Sequence, residues 1–159
     1  MKYILICLLS ILSCKAQDTP TQFSEAALND TFVTLEGKTI AFKDILEANK
    51  GKTLVIDVWA SWCKDCIGGM PKVKSLQKAN KDATYLFLSL DKTQDAWKKG
   101  IKKYDVQGQH YFVESGWKGP FCEFIQLDWI PRYMVVDTNG NIKLFKAIEA
   151  DDKKIKEIL

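Results

Sequence analysis

The sequence predicts a single α/β domain in which helices flank a central mixed β-sheet, with an added β-hairpin ahead of the sheet. The chain has 159 residues, of which 47% are hydrophobic, enough for one core and too few for two ordinary domains. Residues 53–60 and 83–90 are two continuous apolar runs, typical of strands buried on both faces. A helical pattern follows each run, so we expect parallel strands joined by right-handed crossovers.

The predicted hairpin comes first in the folded part of the chain. Residues 31–35 and 39–42 alternate apolar and polar positions, and the turn between them contains Gly37. A short helical turn is expected over residues 44–48. These elements precede the first buried strand, so they add to the sheet from outside its centre.

Two longer helices are predicted after the buried strands. The first covers residues 64–80 and should be interrupted near Gly68, Gly69 and Pro71, because proline removes a backbone donor inside a helix. The second covers residues 93–104 and is basic and amphipathic, which is most simply a solvated face.

The last third of the chain predicts a short helix and a second hairpin. The helix is expected over residues 119–127, after a glycine-containing loop. Residues 132–137 and 142–147 are apolar runs on either side of Asn139-Gly140, a strong short-range hairpin signal. A terminal helix over residues 151–158 completes the prediction.

The N-terminal segment predicts export. Met1-Lys2 precedes an apolar run over residues 3–12, which is shorter than the about 20 residues that span a bilayer. Cys14 follows this run, and its surroundings resemble a bacterial lipobox, so we expect a lipid on Cys14 and membrane anchoring in the periplasm or cell envelope. The alternative is an ordinary cleaved signal peptide. Residues 1–21 are therefore interpreted as signal and tether, and residues 22–159 as the folded domain.

Charge and cysteine content limit the classes of function that the chain can have. The chain carries 23 Lys and Arg against 20 Asp and Glu, a balance that does not indicate a nucleic-acid partner. Of five cysteines, Cys7 and Cys14 lie in the export segment. The remaining close pair, Cys63 and Cys66, with the single Cys122, is typical of a redox enzyme rather than of a disulfide framework. Cys122 itself is interpreted as a buried, inert thiol.

The Cys63-Lys64-Asp65-Cys66 motif lies where a strand ends and a helix begins. A sulfur at a helix N-terminus is stabilised as a thiolate, so we expect Cys63 to be the nucleophile and Cys66 the resolving cysteine. A structural disulfide and half of a zinc site are the competing interpretations. Zinc needs about four ligands, and the chain offers one such pair and a single histidine, so neither a metal nor another cofactor is expected.

Asp57 interrupts an otherwise apolar strand. Burying a carboxylate there is costly unless the group is neutral or paired, so we expect a raised pKa and proton exchange with the Cys66 thiol. The alternative is that Asp57 lies at a bulge and reaches water.

Residues 55–66, which read VIDVWASWCKDC, resemble the active-site segment of thioredoxin-like proteins. In that family a buried acid precedes the motif and a kinking proline follows it, and Asp57 and Pro71 match these positions. Trp59 is expected in the core. Trp62 is expected at the substrate surface.

Ile130-Pro131 resembles the family's cis-proline loop, which lies against the disulfide. The resemblance implies a cis bond and a substrate segment that pairs with the Ile130 backbone and contacts Pro131.

The hairpin, the lipobox-like signal and the insertion before Ile130 resemble the membrane-anchored TlpA-like and ResA-like branch. That resemblance implies reduction of disulfides in exported proteins, for instance apocytochrome c, with electrons from a membrane thiol donor. Lys64-Asp65 lacks the proline usual at its second position, which leaves a disulfide oxidase or isomerase open. A peroxidase, or a binding lipoprotein with vestigial cysteines, is also compatible with the fold.

Overall fold

The computed structural model describes residues 19–159. Cys14 and most of the predicted signal and tether lie outside the described residues, so the lipid anchor and the domain boundary after residue 21 stay predictions. Within the described part, none of the helices combines the length and apolar character needed to cross a bilayer.

Over residues 19–159, seven strands form one mixed sheet in the order β2-β1-β5-β4-β3-β6-β7. The parallel strands β3, β4 and β5 lie in the middle, and the other pairs are antiparallel. The strands are β1 (Thr31–Val33), β2 (Thr39–Ala41), β3 (Leu54–Trp59), β4 (Thr84–Ser89), β5 (Gln109–Val113), β6 (Arg132–Val136) and β7 (Ile142–Ala147).

In the same described range, six helices and a short 3-10 turn accompany the strands. The turn spans Gly116–Lys118. The helices are α1 (Glu25–Leu28), α2 (Phe42–Ala48), α3 (Lys64–Ala79), α4 (Gln94–Tyr104), α5 (Pro120–Phe124) and α6 (Lys153–Ile158).

The predicted architecture is confirmed: helices accompany a central mixed β-sheet, with an added N-terminal hairpin. β1 and β2 pair antiparallel, as expected. β5 was not predicted, and it lies between β1 and β4, so it attaches the hairpin to the central sheet. β5 starts with the polar residues Gln109 and His110 and is only half-buried. Because it lacks a continuous apolar run like those of β3 and β4, the sequence pattern did not indicate a strand there.

The close packing of β5 on β4 depends on Gly108. Its φ is +148°, and a Cβ atom there would lie 2.7 Å from the carbonyl oxygen of Tyr85 and 2.7 Å from the Phe87 ring. Such contacts are shorter than atoms tolerate, so only glycine allows the chain to turn into β5 at this distance.

The predicted interruption of the first long helix is wrong: α3 continues through Pro71 to Ala79. Proline in a helix costs about 3 kcal/mol because it removes one backbone hydrogen bond. Here one face of α3 is buried over its whole length, through Cys66, Met70, Val73 and Leu76. This packing holds the helix together, and α3 therefore presents a single N-terminus at Cys63.

Candidate active site

The Cys63–Cys66 pair lies at the junction of β3 and α3 and forms a disulfide with a Cα–Cα distance of 5.3 Å. Cys63 is the N-cap of α3, and its Sγ accepts the Cys66 backbone N–H at 3.1 Å. Cys63 is 6% exposed and Cys66 only 1%. The expected position of Cys63 at a helix N-terminus is therefore confirmed, and its sulfur belongs to the more accessible residue of the two.

The loop that carries the motif is fixed from two sides. The backbone N–H and the Oγ–H of Ser61 donate to the buried Asp91 carboxylate, which also accepts from the Ser89 hydroxyl. On the other side, α4 approaches so closely that a Cβ atom on Gly100 would lie 2.3 Å from the Ser61 Cβ. The position of Cys63 is thus set by the scaffold rather than by a mobile loop.

The segment before β6 lies against the disulfide. The Ile130–Pro131 peptide bond is cis, as predicted. The carbonyl oxygen of Ile130 lies 3.6 Å from the Cys63 Sγ. Trp62, beside Cys63, is exposed, whereas Trp59 is fully buried in the core, as expected.

Asp57 lies in the centre of β3, where it is 3% exposed. It pairs with Phe87 of β4 and Tyr133 of β6 in regular ladders, so the alternative of a bulge that reaches water is wrong. Among the described residues, neither carboxylate oxygen has a hydrogen-bond partner of regular geometry. Burial raises the pKa of Asp57 to about 8, and the nearby Tyr133 hydroxyl opposes this only in part. At neutral pH Asp57 is therefore protonated in most molecules.

Tyr133 is a site residue that was not predicted from the sequence. Burial, followed by the charge of Asp57, raises the pKa of Tyr133 above its usual range, so the hydroxyl keeps its proton. A Cβ atom on Gly69 would lie 3.6 Å from this hydroxyl. Tyr133 also lines an open cleft of about 380 Å³ that runs along Gly68, Gly69 and Pro131. A tyrosine in an apolar strand can indicate a functional hydroxyl, but only the pairing of β3 with β6 places Tyr133 beside Asp57.

Cys122 and His110, the other reactive side chains that the sequence offered, are not part of this site. Cys122 is buried, and burial raises the pKa of its thiol to about 12, as expected for an inert cysteine. His110 is also buried, with Nε2 3.0 Å from the Val106 carbonyl oxygen. Over residues 19–159, no three His, Cys, Asp or Glu side chains lie close enough together to hold a metal ion.

Comparisons with known proteins agree with this geometry. Residues 51–142, which include Asp57, both active-site cysteines and Pro131, match the thioredoxin-like family. The chain is 34% identical over 123 residues to thiol-disulfide oxidoreductase ResA of one Bacillus cereus strain, covering 76% of this chain and 67% of the relative. It is 31% identical over 141 residues to ResA of a second B. cereus strain, covering 87% and 76%.

Solved structures show the same fold. A solution structure assigned to a thiol-disulfide oxidoreductase from Bacteroides vulgatus has a TM-score of 0.69 and 28% identity, covering 85% of this chain and 86% of that one. A thiol-disulfide oxidoreductase from Bacteroides fragilis has a TM-score of 0.67 and 22% identity, covering 85% and 100%. The chain therefore belongs to the thioredoxin-like family and, within it, to the thiol-disulfide oxidoreductases of the ResA type.

Proposed function

We propose that this oxidoreductase works as a reductase, with Cys63 as the attacking sulfur and Cys66 as the resolving one. The observation that carries the proposal is the Cys63–Cys66 disulfide at the N-terminus of α3, beside the cis-proline loop. A purely structural role is less favoured, because a disulfide between adjacent turns of one helix adds little stability beyond that of the helix itself.

The reaction starts from the dithiol form. The Cys63 thiolate attacks one sulfur of the substrate disulfide, that S–S bond breaks, and one substrate thiolate leaves. Cys66 then loses its proton, and its thiolate attacks the Cys63 sulfur of the mixed disulfide. The second substrate sulfur leaves as a thiolate and takes up a proton. Two electrons have passed to the substrate, and the enzyme is left with the Cys63–Cys66 disulfide, which a thiol donor must reduce.

Cys63 is suited to the first step because the charge of its thiolate is stabilised at the helix N-terminus. The Cys66 backbone N–H already points at the Cys63 sulfur, at 3.1 Å. Hydrogen bonds to the charged form lower a thiol's pKa, and the helix dipole acts in the same direction.

Asp57 is proposed to take the proton from Cys66 during the second step. Its carboxyl is buried in the strand that leads into the motif, and its pKa is raised to about 8. Near that pH it exists in both protonation states, which a group that exchanges protons with a thiol requires. Tyr133 beside it keeps the site polar without supplying a charge.

Substrate contacts are assigned to Trp62, Ile130 and Pro131. Trp62 is exposed next to Cys63, and the carbonyl oxygen of Ile130 lies 3.6 Å from the Cys63 sulfur. An extended substrate segment running past this loop would pair with the Ile130 backbone and bring its disulfide to Cys63.

We place the enzyme in the periplasm or cell envelope of a bacterium, with residues 22–159 as the catalytic domain and a lipid on Cys14 as its anchor. The support is the apolar run of residues 3–12 and the cysteine that follows it. Its substrates would then be cysteine-containing exported proteins, for example apocytochrome c before haem attachment. A membrane thiol protein would return the electrons.

Replacing Cys63 tests the enzymatic proposal. Cys63→Ser should lower the rate of insulin reduction by dithiothreitol to the rate without enzyme, because serine cannot form the mixed disulfide. The Cys122→Ala variant is the control and should reduce insulin like the wild type, since the Cys122 thiol is buried and protonated. Insulin reduction by Cys63→Ser at the wild-type rate would contradict the assignment.

Replacing Cys66 tests the second step and identifies substrates. Cys66→Ser should leave substrate proteins bound covalently to Cys63, because no second sulfur can release them. Mass spectrometry of envelope proteins captured on this variant, before and after reduction, should show adducts that the Cys63→Ser, Cys66→Ser double variant lacks. Equal capture by both variants would exclude Cys63 as the attacking sulfur.

Asp57→Asn should slow release of the mixed disulfide near neutral pH while leaving the fold intact. The amide cannot accept the Cys66 proton, so the pH dependence of release between about pH 6 and 9 should change. Stopped-flow measurement of thiol release from a preformed mixed disulfide gives this profile. An unchanged profile would remove Asp57 from the mechanism.

The same variant should change how stability depends on pH. Between about pH 4 and 8 folded Asp57 keeps a proton that the unfolded chain has released, so the free energy of unfolding falls as pH rises, by up to about 1.4 kcal/mol per pH unit. Urea unfolding at several pH values should show that Asp57→Asn lacks this component. Asp44→Asn, at an exposed position of α2, should keep the wild-type slope.

Cys14→Ser tests the anchor. In a bacterial host, the wild-type chain should sediment with membranes, whereas the variant should lose this association because serine carries no thioether-linked lipid. Immunoblots of fractionated cells measure the difference, and Cys7→Ser is the matched control. Retention of Cys14→Ser in the membrane fraction at the wild-type level would contradict lipidation at this residue.

A further inference from the structure

The tryptophans divide sharply by exposure. Trp59 and Trp97 are fully buried, whereas Trp62, Trp117 and Trp129 are 52%, 39% and 62% exposed. The three exposed side chains come from separate segments, yet all three line one groove of about 330 Å³ together with Cys63 and Ile130. We call Trp62, Trp117 and Trp129 the aromatic rim.

An exposed aromatic cluster needs an explanation. Tryptophan exposes more apolar surface than other side chains, and soluble proteins tend to keep such groups apart or cover them. Tryptophan is also among the residues most enriched at binding hot spots. Leu35, in the turn between β1 and β2, is an exposed apolar side chain that does not line this groove.

Each rim tryptophan lies on a segment that is fixed by one buried charged residue. For Trp62 that residue is Asp91, which binds the backbone and side chain of the preceding Ser61. For Trp117 it is Asp30, whose carboxylate accepts from the Ser115 hydroxyl and from the Phe121 backbone N–H, both at 2.9 Å. These two contacts lie on either side of the 3-10 turn that carries Trp117.

Arg132 fixes the segment before Trp129. Its side chain is fully buried, and its guanidinium donates to the carbonyl oxygen of Ile125 at 2.6 Å. It also pairs with the Asp128 carboxylate, directly before Trp129. Lys146 contacts the same carboxylate at 2.8 Å from the exposed side.

The rim is thus held in place before any partner arrives. Ordering loops and side chains during binding reduces affinity, so a surface already fixed by the scaffold binds more tightly for the same contacts. Burying a charged side chain generally lowers stability, and this protein buries three of them to fix the segments of the aromatic rim. This cost favours a functional role for the rim. Because Cys63 lines the same groove, a substrate that brings its disulfide to Cys63 would also contact the aromatic rim.

We propose that the aromatic rim selects polypeptide disulfides that carry an aromatic or large aliphatic side chain beside the attacked cysteine. This inference rests on the proposed reductase function and specifies its substrates. An extended peptide advances about 3.3 Å per residue, so side chains one or two positions from the cysteine reach the walls of a groove centred on Cys63. Lys64 and Asp65, the charged residues of the groove, carry opposite charges and favour no net charge in the substrate.

The test compares two peptides with an identical disulfide. One carries phenylalanine next to each cysteine and the other carries serine there. The reduced full-length protein should react with the phenylalanine peptide about tenfold faster, measured as the second-order rate constant by quenched chromatography of the products. In Trp117→Ala and Trp129→Ala this ratio should fall toward one, whereas Leu35→Ala should keep the wild-type ratio.

Four results would overturn the proposal. Equal rate constants for the two peptides with the wild-type protein would exclude an aromatic preference while leaving disulfide reduction established. An equal loss with both peptides in the tryptophan variants would show that these residues support the structure and do not select substrates. Dimerisation that is lost in both tryptophan variants would identify a second copy of the chain as the occupant. Failure of the wild-type protein to reduce either peptide would contradict the reductase function itself.

Discussion

The active site is organised around the junction between β3 and α3. β3 is paired on both sides, to β4 and β6, so the point where it ends cannot move independently of the sheet. α3 starts at that point with a sulfur as its N-cap, and the cis-proline loop before β6 lies against the same sulfur. The strand pairing therefore holds the helix N-terminus, the disulfide and the loop opposite it as one unit.

Asp57 places an unfavourable group in the same central strand. A carboxyl without a regular hydrogen-bond partner in the middle of a sheet lowers stability once it is charged. Its side chain is only 3% exposed, and burial raises its pKa to about 8, so the protonated form predominates at neutral pH. The position that makes Asp57 costly to stability also gives it a pKa in the range where a thiol exchanges protons.

Buried charges also organise the surface around the disulfide. Asp30, Asp91 and Arg132 are all nearly inaccessible, and each binds backbone groups of a segment that carries an exposed tryptophan. A hydrophobic residue in their place would pack as well but could not hold a loop by its backbone. The N-terminal hairpin takes part in this arrangement, because Asp30 directly precedes β1. The hairpin thus helps to shape the active-site surface, although it lies outside the residues that match the thioredoxin-like family.

The cis-proline loop was predicted from the resemblance of Ile130-Pro131 to the thioredoxin-like family. Local patterns along the chain were enough to predict the fold class, the cysteine pair at a helix start and the burial of Asp57. Each of these three depends on an apolar run or a short motif. Such patterns failed where the outcome depends on contacts between distant segments. The half-polar β5 is a strand because β1 and β4 supply partners on both sides, and α3 continues through Pro71 because one face is buried along its length.

The pairing of Tyr133 with Asp57 and the convergence of Trp62, Trp117 and Trp129 likewise required the sheet order and the packed loops. Folding brings these residues together through strand pairing and buried charges that belong to other parts of the chain. Their separation along the sequence carries no information about their distance in space, so no local pattern could have predicted either contact.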